Sequence, residues 1–334
     1  MGTVHTSTGL DAGAGRARLL ARLAGVALSA FVLSLQTGAV QARATHGAGA
    51  ASAIPRTPEA REVFAEQMSG APSPDDLGST LPPGITASAV ARLLVPVADT
   101  GAVGMIGLKP WAARTGSFVA LVCTGGNGPS KVKSEGCSGG GSSAPLHAYV
   151  ALVMIDGAGR PKLVTRPIEV EANVDWDRSL LPSRPEAAED SVPNGGHAAR
   201  PSAYDRLDLA PYRIAPGVTA FGIRASWSDG YAGGFGWHSA TLLYAVIDGQ
   251  LRQILAVPTI ALTFLAGDWH RNGMRDHEID DGANVIVVTE TLNAGHADVI
   301  VRSRIQRGAR LFRWDAASMR YEELSERVQA PKSR

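Results

Sequence analysis

Residues 151–157 read ALVMIDG and residues 243–249 read LYAVIDG, with Ile-Asp-Gly in register at an offset of 92. Each is a short apolar run closed by an Asp-Gly pair. That is a hairpin signal, because a tight type I′ turn needs positive φ at its two central residues, which Asp and Gly tolerate. Runs of this length that stop on a turn pair are strands rather than helices.

Further marks lie on either side. Asp175-Trp176-Asp177-Arg178 matches Asp268-Trp269-His270-Arg271 at an offset of 93, and Pro167-Ile168 echoes Pro258-Thr259-Ile260. Upstream, Leu108-Lys109-Pro110-Trp111 echoes Leu209-Ala210-Pro211-Tyr212. Strand patterns at 117–123 and 220–226 each lead into a glycine-rich stretch. Both units therefore run strand, Gly-rich loop, hairpin, exit. Common turn residues in two generic hairpins would explain any one of these marks. Their shared order favours a duplicated β unit. After the second unit, residues 285–292 (VIVVTETL), a turn at Asn293-Ala294-Gly295-His296, residues 297–305 and a pair around 310–314 and 319–324 add hairpin-like elements.

The expected fold is mainly β, with antiparallel sheets and a duplicated β unit arranged as a sandwich or a propeller-like array. Strand signals begin near residues 92–97 (RLLVPV), and no long helical pattern follows residue 75. One helix start precedes them: Thr57 as N-cap, Pro58 at the first helical position and Glu59 in the first turn, with the helix ending by Gly70. Residues 45–87 read as a mobile N-terminal segment with this short helix and a linker. Residues 88–180 form the first β unit, 181–205 an irregular connection, and 206–328 the second unit with its C-terminal hairpins. The whole is one globular domain.

Residues 1–44 read as a secretory signal. Arg16, Arg18 and Arg22 form a positive start, residues 23–35 (LAGVALSAFVLSL) are apolar, and small residues offer cleavage after Ala42 or Ala44. The apolar run is 13 residues, whereas a membrane-spanning helix needs about 20. This favours cleavage over a short N-terminal anchor and places the protein in the periplasm or outside the cell. No transmembrane segment is expected once the signal is gone. Cleavage also leaves 28 of 32 basic and 30 of 31 acidic side chains, a net charge near −2. Such a chain has no basic excess to neutralise phosphates, which argues against nucleic acid as a partner. The rest of the composition, 45% hydrophobic and 19% charged, is that of a folded protein.

Cys123 and Cys137 are the only cysteines. An isolated pair in an oxidising compartment forms a disulfide, and closing a loop of this size contributes about 3 kcal/mol. Its expected role is to pin the Gly/Ser/Lys-rich stretch between them, which has no core of its own.

Two stretches are candidate sites. Residues 230–238 (GYAGGFGWH) form the Gly-rich loop of the second unit, with Tyr231, Phe235, Trp237 and His238 offering ring faces and a polar tip to a ligand. The bland alternative is ordinary turn chemistry. Residues 268–282 (DWHRNGMRDHEIDDG) gather Asp276, Glu278, Asp280 and Asp281 in a loop that loosely imitates a calcium site, although the spacing departs from the EF-hand and Arg271 and Arg275 supply counter-charge. His270 and His277, seven apart, are a weaker transition-metal pair. His147, His238 and His296 each fall at a loop-to-strand junction. The repeated Asp-Trp reads as a packing corner, with the indole over the core edge and Asp capping a turn.

The chain has no GxSxG elbow, no SxxK and no Cys-His pair that survives disulfide formation, so no catalytic residue is assigned from sequence. The expected function is a non-enzymatic role in the cell envelope, binding a ligand or protein partner or serving structurally. The alternative is a metal-assisted hydrolase built on residues 268–282. Calcium is the one cofactor the pattern suggests.

Overall fold

Strands form where the apolar runs stop on turn residues. The computed structural model describes residues 54–69, 74–96, 103–125, 137–139, 145–189, 200–273 and 275–324. The expected signal peptide and most of the first Gly-rich loop lie outside the described residues. In chain order, α1 (Pro58–Ser69) and α2 (Ala87–Leu94) precede β1 (Val103–Pro110), β2 (Ser117–Thr124), β3 (Cys137–Ser138), β4 (His147–Ile155), β5 (Pro161–Leu163) and β6 (Ile168–Glu169). A one-turn helix, α3 (Glu186–Glu189), leads to β7 (Ala203–Ala215), β8 (Val218–Tyr231), β9 (Gly234–Ile247), β10 (Gln250–Trp269), β11 (Arg275–Asn293), β12 (His296–Ser303), β13 (Ala309–Asp315) and β14 (Arg320–Glu323).

Two antiparallel sheets result. The first has the order β1-β2-β4-β5, with β6 also paired to β4. The second is a nine-stranded meander running from β14 down to β7, with β3 on its edge. The fold is thus mainly β and antiparallel. The meanders β1-β2-β4-β5 and β7-β8-β9-β10 share one order, and the two Ile-Asp-Gly marks close β4 and β9. The turns differ, however. Asp248 (φ 50°) and Gly249 (φ 75°) make the type I′ turn. After β4 the left-handed residue is Gly159 (φ 74°) instead. There Asp156 caps a longer loop, its carboxylate accepting from the amides of Ala158 and Arg160, both at 2.9 Å.

The sheets pack face to face. Val119, Leu121 and Cys123 of β2 and Val150 and Leu152 of β4 meet Phe221, Ile223 and Trp227 of β8 and Leu242 and Tyr244 of β9 in one buried cluster. The alternate residues Ala120, Val122, Ala151 and Val153 form a second cluster with Val90 and Leu94 of α2. Both faces of β2 and β4 are therefore buried, which explains why their runs are continuously apolar rather than alternating. The long sheet also curls, so that Leu243, Ala245 and Val257 share a core with Val299, Val301, Phe312 and Trp314.

Several expectations need correction. Residues 87–94 are a helix, not the approach to a strand. Thr86 caps it through Oγ1, 3.2 Å from the Ala89 amide, and Val90, Ala91 and Leu94 fall on one buried face. The extended backbone begins only at the C-cap, Val95. Residues 54–56 lie within the segment expected to be mobile, yet Arg56 is fastened to β11. The 230–238 stretch is not a loop but the β8–β9 hairpin, turning at Ala232-Gly233 with Tyr231 paired to Gly234. The 268–282 stretch is the end of β10, a turn at 270–273 and the start of β11. The connection 181–205 contains α3 and the first residues of β7.

The Cys123–Cys137 disulfide is present, with Cα atoms 5.7 Å apart and both residues buried. It does more than pin a loop. Cys123 belongs to β2 and Cys137 to β3, so the bond ties one sheet to the other.

Candidate functional site

The β9–β10–β11 ladder arranges the candidate residues by face. His238 pairs with Ala261, and Ala261 with Gly282. Trp237 pairs with Leu262, and Leu262 with Asp281. Thr263 pairs with Gly236 and Asp280, and Leu265 with Glu278. Side chains alternate along a strand. His238, Thr263, Leu265, Glu278, Asp280 and Gly282 therefore share one face, while Phe235, Trp237, Ile279 and Asp281 point to the other.

On that other face lies α1. Ala60 and Val63 pack on Ile260 and Leu262, with Phe235, Trp237 and Ile279 at the margin. Phe235 stacks on Phe264 at 5.5 Å. The four residues Tyr231, Phe235, Trp237 and His238 do not form one surface: Phe235 and Trp237 support a helix, and His238 points away from them. Asp281 works on the helix side as well. It is 1% exposed and accepts from the Arg56 amide at 2.9 Å, the Thr57 amide at 2.8 Å and Thr57 Oγ1 at 2.9 Å, with Arg56 Nε at 3.2 Å. Burial alone would raise its pKa. The hydrogen bonds from Arg56 and Thr57 outweigh that and hold the carboxyl below its usual value.

The other three carboxylates, Asp276, Glu278 and Asp280, occupy alternate positions of β11. A strand spaces such side chains about 7 Å apart along one face, whereas a turning loop makes them converge. Asp276 pairs with His270 at 2.7 Å, and Asp280 with Arg56 at 3.3 Å. His277 stacks on Phe264 at 4.8 Å. Among the described residues no group of three or more His, Cys, Asp and Glu side chains is placed to hold one ion.

His238 shows what the sequence missed. It lies inside β9 rather than at a strand start, and its side chain is 1% exposed. Nε2 is 3.1 Å from Ser183 Oγ, and Nδ1 is 3.5 Å from Asp229 Oδ2. Ser183 Oγ is also 3.2 Å from Thr263 Oγ1, and the Glu186 amide donates to Asp229 Oδ2 at 3.2 Å. Burial pushes the His238 pKa down to about 4, so the ring is neutral near pH 7. With Asp229 ionised, and so an acceptor only, the tautomer that suits both neighbours is the one with the proton on Nδ1 and with Nε2 accepting from the Ser183 hydroxyl. The 3.5 Å separation is long for a hydrogen bond, so Asp229 faces Nδ1 as a nearby charge rather than as a bonded partner.

Three features bring this group together. The β8–β9 hairpin pairs His238 with Trp227, which puts Asp229 on the diagonal from His238. Trp176 meets both Trp227 and His238 edge-on, at 5.1 and 6.0 Å. Residues 180–186 cross the same face, and Gly282 permits this, because a Cβ there would lie 2.5 Å from Pro182 Cδ. A hairpin assignment for Ala232-Gly233 is the one sequence signal that would have set Asp229 on the diagonal from His238. Ser183, set between two prolines in an irregular stretch, carries no local signal.

Two clefts flank this crossing. One, of about 380 Å³, is lined by Ile54, Arg56, Thr263, Leu265, Glu278 and Asp280 among others. The second, of about 320 Å³, is lined by Arg56, Leu180, Pro182, Asp280, Gly282 and Ile305 among others. They meet at Arg56, Asp280 and Asp281. Ser183 is in neither lining, but its neighbour Pro182 lines one cleft and its hydrogen-bond partner Thr263 lines the other.

The remaining candidates are held locally. His147 bonds Glu169 at 2.6 Å, and His296 stacks on Trp314 at 4.1 Å. The two Asp-Trp marks part company. Trp176 is buried at 6% exposure, and Asp175 accepts from the Arg178 amide at 3.3 Å, a packing corner with its turn cap. Trp269 is 69% exposed, with Arg275 over its ring at 5.4 Å. No helix among the described residues is long and apolar enough to cross a membrane.

Comparison with protein-family models and with characterised protein sequences gives no match. Among solved structures, a Bacteroides fragilis protein named "putative 6-phosphogluconolactonase" aligns over 72% of this chain and 84% of its own, at 10% identity and a TM-score of 0.13. At that score the alignment carries no argument about fold or activity.

Proposed function

We propose that the mature chain is an exported cell-envelope protein that holds a ligand or partner in the paired clefts beside β11. The observation that carries this is the meeting of the two clefts at Arg56 and Asp280. Their combined size suits one or two sugar rings or a short peptide stretch, and binding sites are concavities with a few polar groups that fix orientation. The polar groups in question are charged. Glu278 and Asp280 present carboxylates, while Arg56 is shared between Asp280 and Asp281. The lining therefore favours a ligand that brings amino or hydroxyl donors rather than phosphate.

The test is titration of the purified mature protein with peptidoglycan fragments and with envelope polysaccharide, followed by calorimetry. Binding that weakens at least tenfold in Glu278→Gln/Asp280→Asn supports the reading. Binding unchanged in that variant, or no binding to either ligand, removes it. The export element has its own check: N-terminal sequencing of the mature protein should begin at Arg43 or Thr45.

A further inference from the structure

We propose that Ser183, His238 and Asp229 form an acyl-transfer relay, with Ser183 as the nucleophile toward small carboxylic esters that enter from the adjoining clefts. This goes beyond the binding reading and does not depend on it.

A hydroxyl becomes a nucleophile when a neutral imidazole accepts its proton and a carboxylate holds the imidazole in the right tautomer. Here Nε2 lies 3.1 Å from Ser183 Oγ and Nδ1 lies 3.5 Å from Asp229. The buried Nδ1 makes no hydrogen bond among the described residues, and the Asp229 carboxylate is the group that faces it. His238 is sealed from solvent while Ser183 is only partly buried. Nothing in this geometry requires a metal.

The step balances without an outside redox partner. Ser183 Oγ transfers its proton to His238 Nε2 and forms a bond to the acyl carbon. The ester C–O bond breaks, and the leaving alkoxide takes the proton from His238. Water then hydrolyses the acyl-serine by the same route. The Thr263 hydroxyl, 3.2 Å from Ser183 Oγ, is the donor in reach of the acyl oxygen. Asp229 is a positioning residue, because it acts through the ring. The alternative use of the same contacts is a latch that holds residues 180–186 on the sheet. A latch needs no activated hydroxyl.

The experiment uses the disulfide-intact mature protein and a fluorophosphonate probe, in which an Oγ–P bond forms and fluoride leaves. Intact mass should rise by one probe, and peptide mapping should place it on Ser183. Ser183→Ala should abolish labelling, and Asp229→Asn should slow it at least tenfold. Should Asp229→Asn fail to fold, the pH profile of the wild-type chain decides. A rate nearly flat from about pH 6 to about pH 9 marks a hydroxyl activated by a base that is already neutral, whereas a rate rising tenfold per pH unit marks a bare serine and overturns the relay. No labelling, labelling elsewhere, or an unslowed Asp229→Asn also overturns it.

Discussion

Replacing Asp281 with Asn should cost the protein about 3 kcal/mol at neutral pH, because this carboxylate anchors the N-terminal end of α1 to β11. Its two oxygens receive the Arg56 and Thr57 amides, Thr57 Oγ1 and Arg56 Nε. Thr57 is itself 2% exposed, so its amide has no water to fall back on. Asn keeps the size but loses the charge and turns one acceptor into a donor that faces donors. Hydrogen bonds to a charged group are worth about 1.5–3 kcal/mol each, and a buried donor left unpaired costs about 1–3 kcal/mol. Arg56 is largely exposed and can rehydrate, which limits the loss to about two bonds' worth. The assay is urea unfolding followed by tryptophan fluorescence, at about pH 7 and again at about pH 3. The hydrogen bonds hold the Asp281 carboxyl below its usual value. Its contribution is therefore present above the unfolded pKa and lost as pH falls through the lower folded value. The gap between wild type and Asp281→Asn should be widest near neutrality and close in acid. A gap under about 1 kcal/mol at pH 7, or one that stays constant down to pH 3, would falsify the anchoring role.

Two further outcomes follow from the fold. Trp176→Ala should destabilise by about 3–5 kcal/mol and Trp269→Ala by less than about 1 kcal/mol, because the first indole fills the core against Trp227 and the second lies in solvent; equal shifts in unfolding midpoint would contradict this. Asp205 is pushed up to about 6 by burial, against the pull of Arg224, so it should contribute stability that is full below the unfolded pKa and lost as pH rises through about 6; Asp205→Asn should remove that slope between about pH 4 and about pH 7 in thermal unfolding scans, and an unaltered slope would refute the assignment.

The hairpins were legible because their information is local. Asp248-Gly249 needs only its own backbone conformation to turn β9 into β10, and Thr57-Pro58-Glu59 needs only its own amides to start α1. The helix at 87–94 was not, because Leu93-Leu94-Val95 reads equally well as a buried strand until the Thr86 cap and the packing of Val90 and Leu94 under β2 and β4 are known. The Gly-rich 230–238 stretch hid a two-residue turn for a similar reason. Glycines on both sides of Ala232-Gly233 blur where the strands end, and only pairing between β8 and β9 settles the register.

The candidate site divides along the same line. Residue types in 268–282 read as a loose imitation of a calcium loop, and of its carboxylates Glu278, Asp280 and Asp281 line a cleft. Yet alternate carboxylates on an extended strand spread out where the same residues in a loop would converge, and that difference lies in the pairing of β11 with β10. Sequence alone determined the β class, the antiparallel hairpins and the pairing of Cys123 with Cys137, because each rests on contacts between near neighbours or on there being a single possible partner. Tertiary structure alone decided that this disulfide joins two sheets, that Asp281 anchors a helix, and that Ser183 meets His238 and Asp229. Thr57 and Asp281 are 224 residues apart and Ser183 and His238 are 55 apart, so only the packing of α1 and of residues 180–186 on the long sheet brings them within reach.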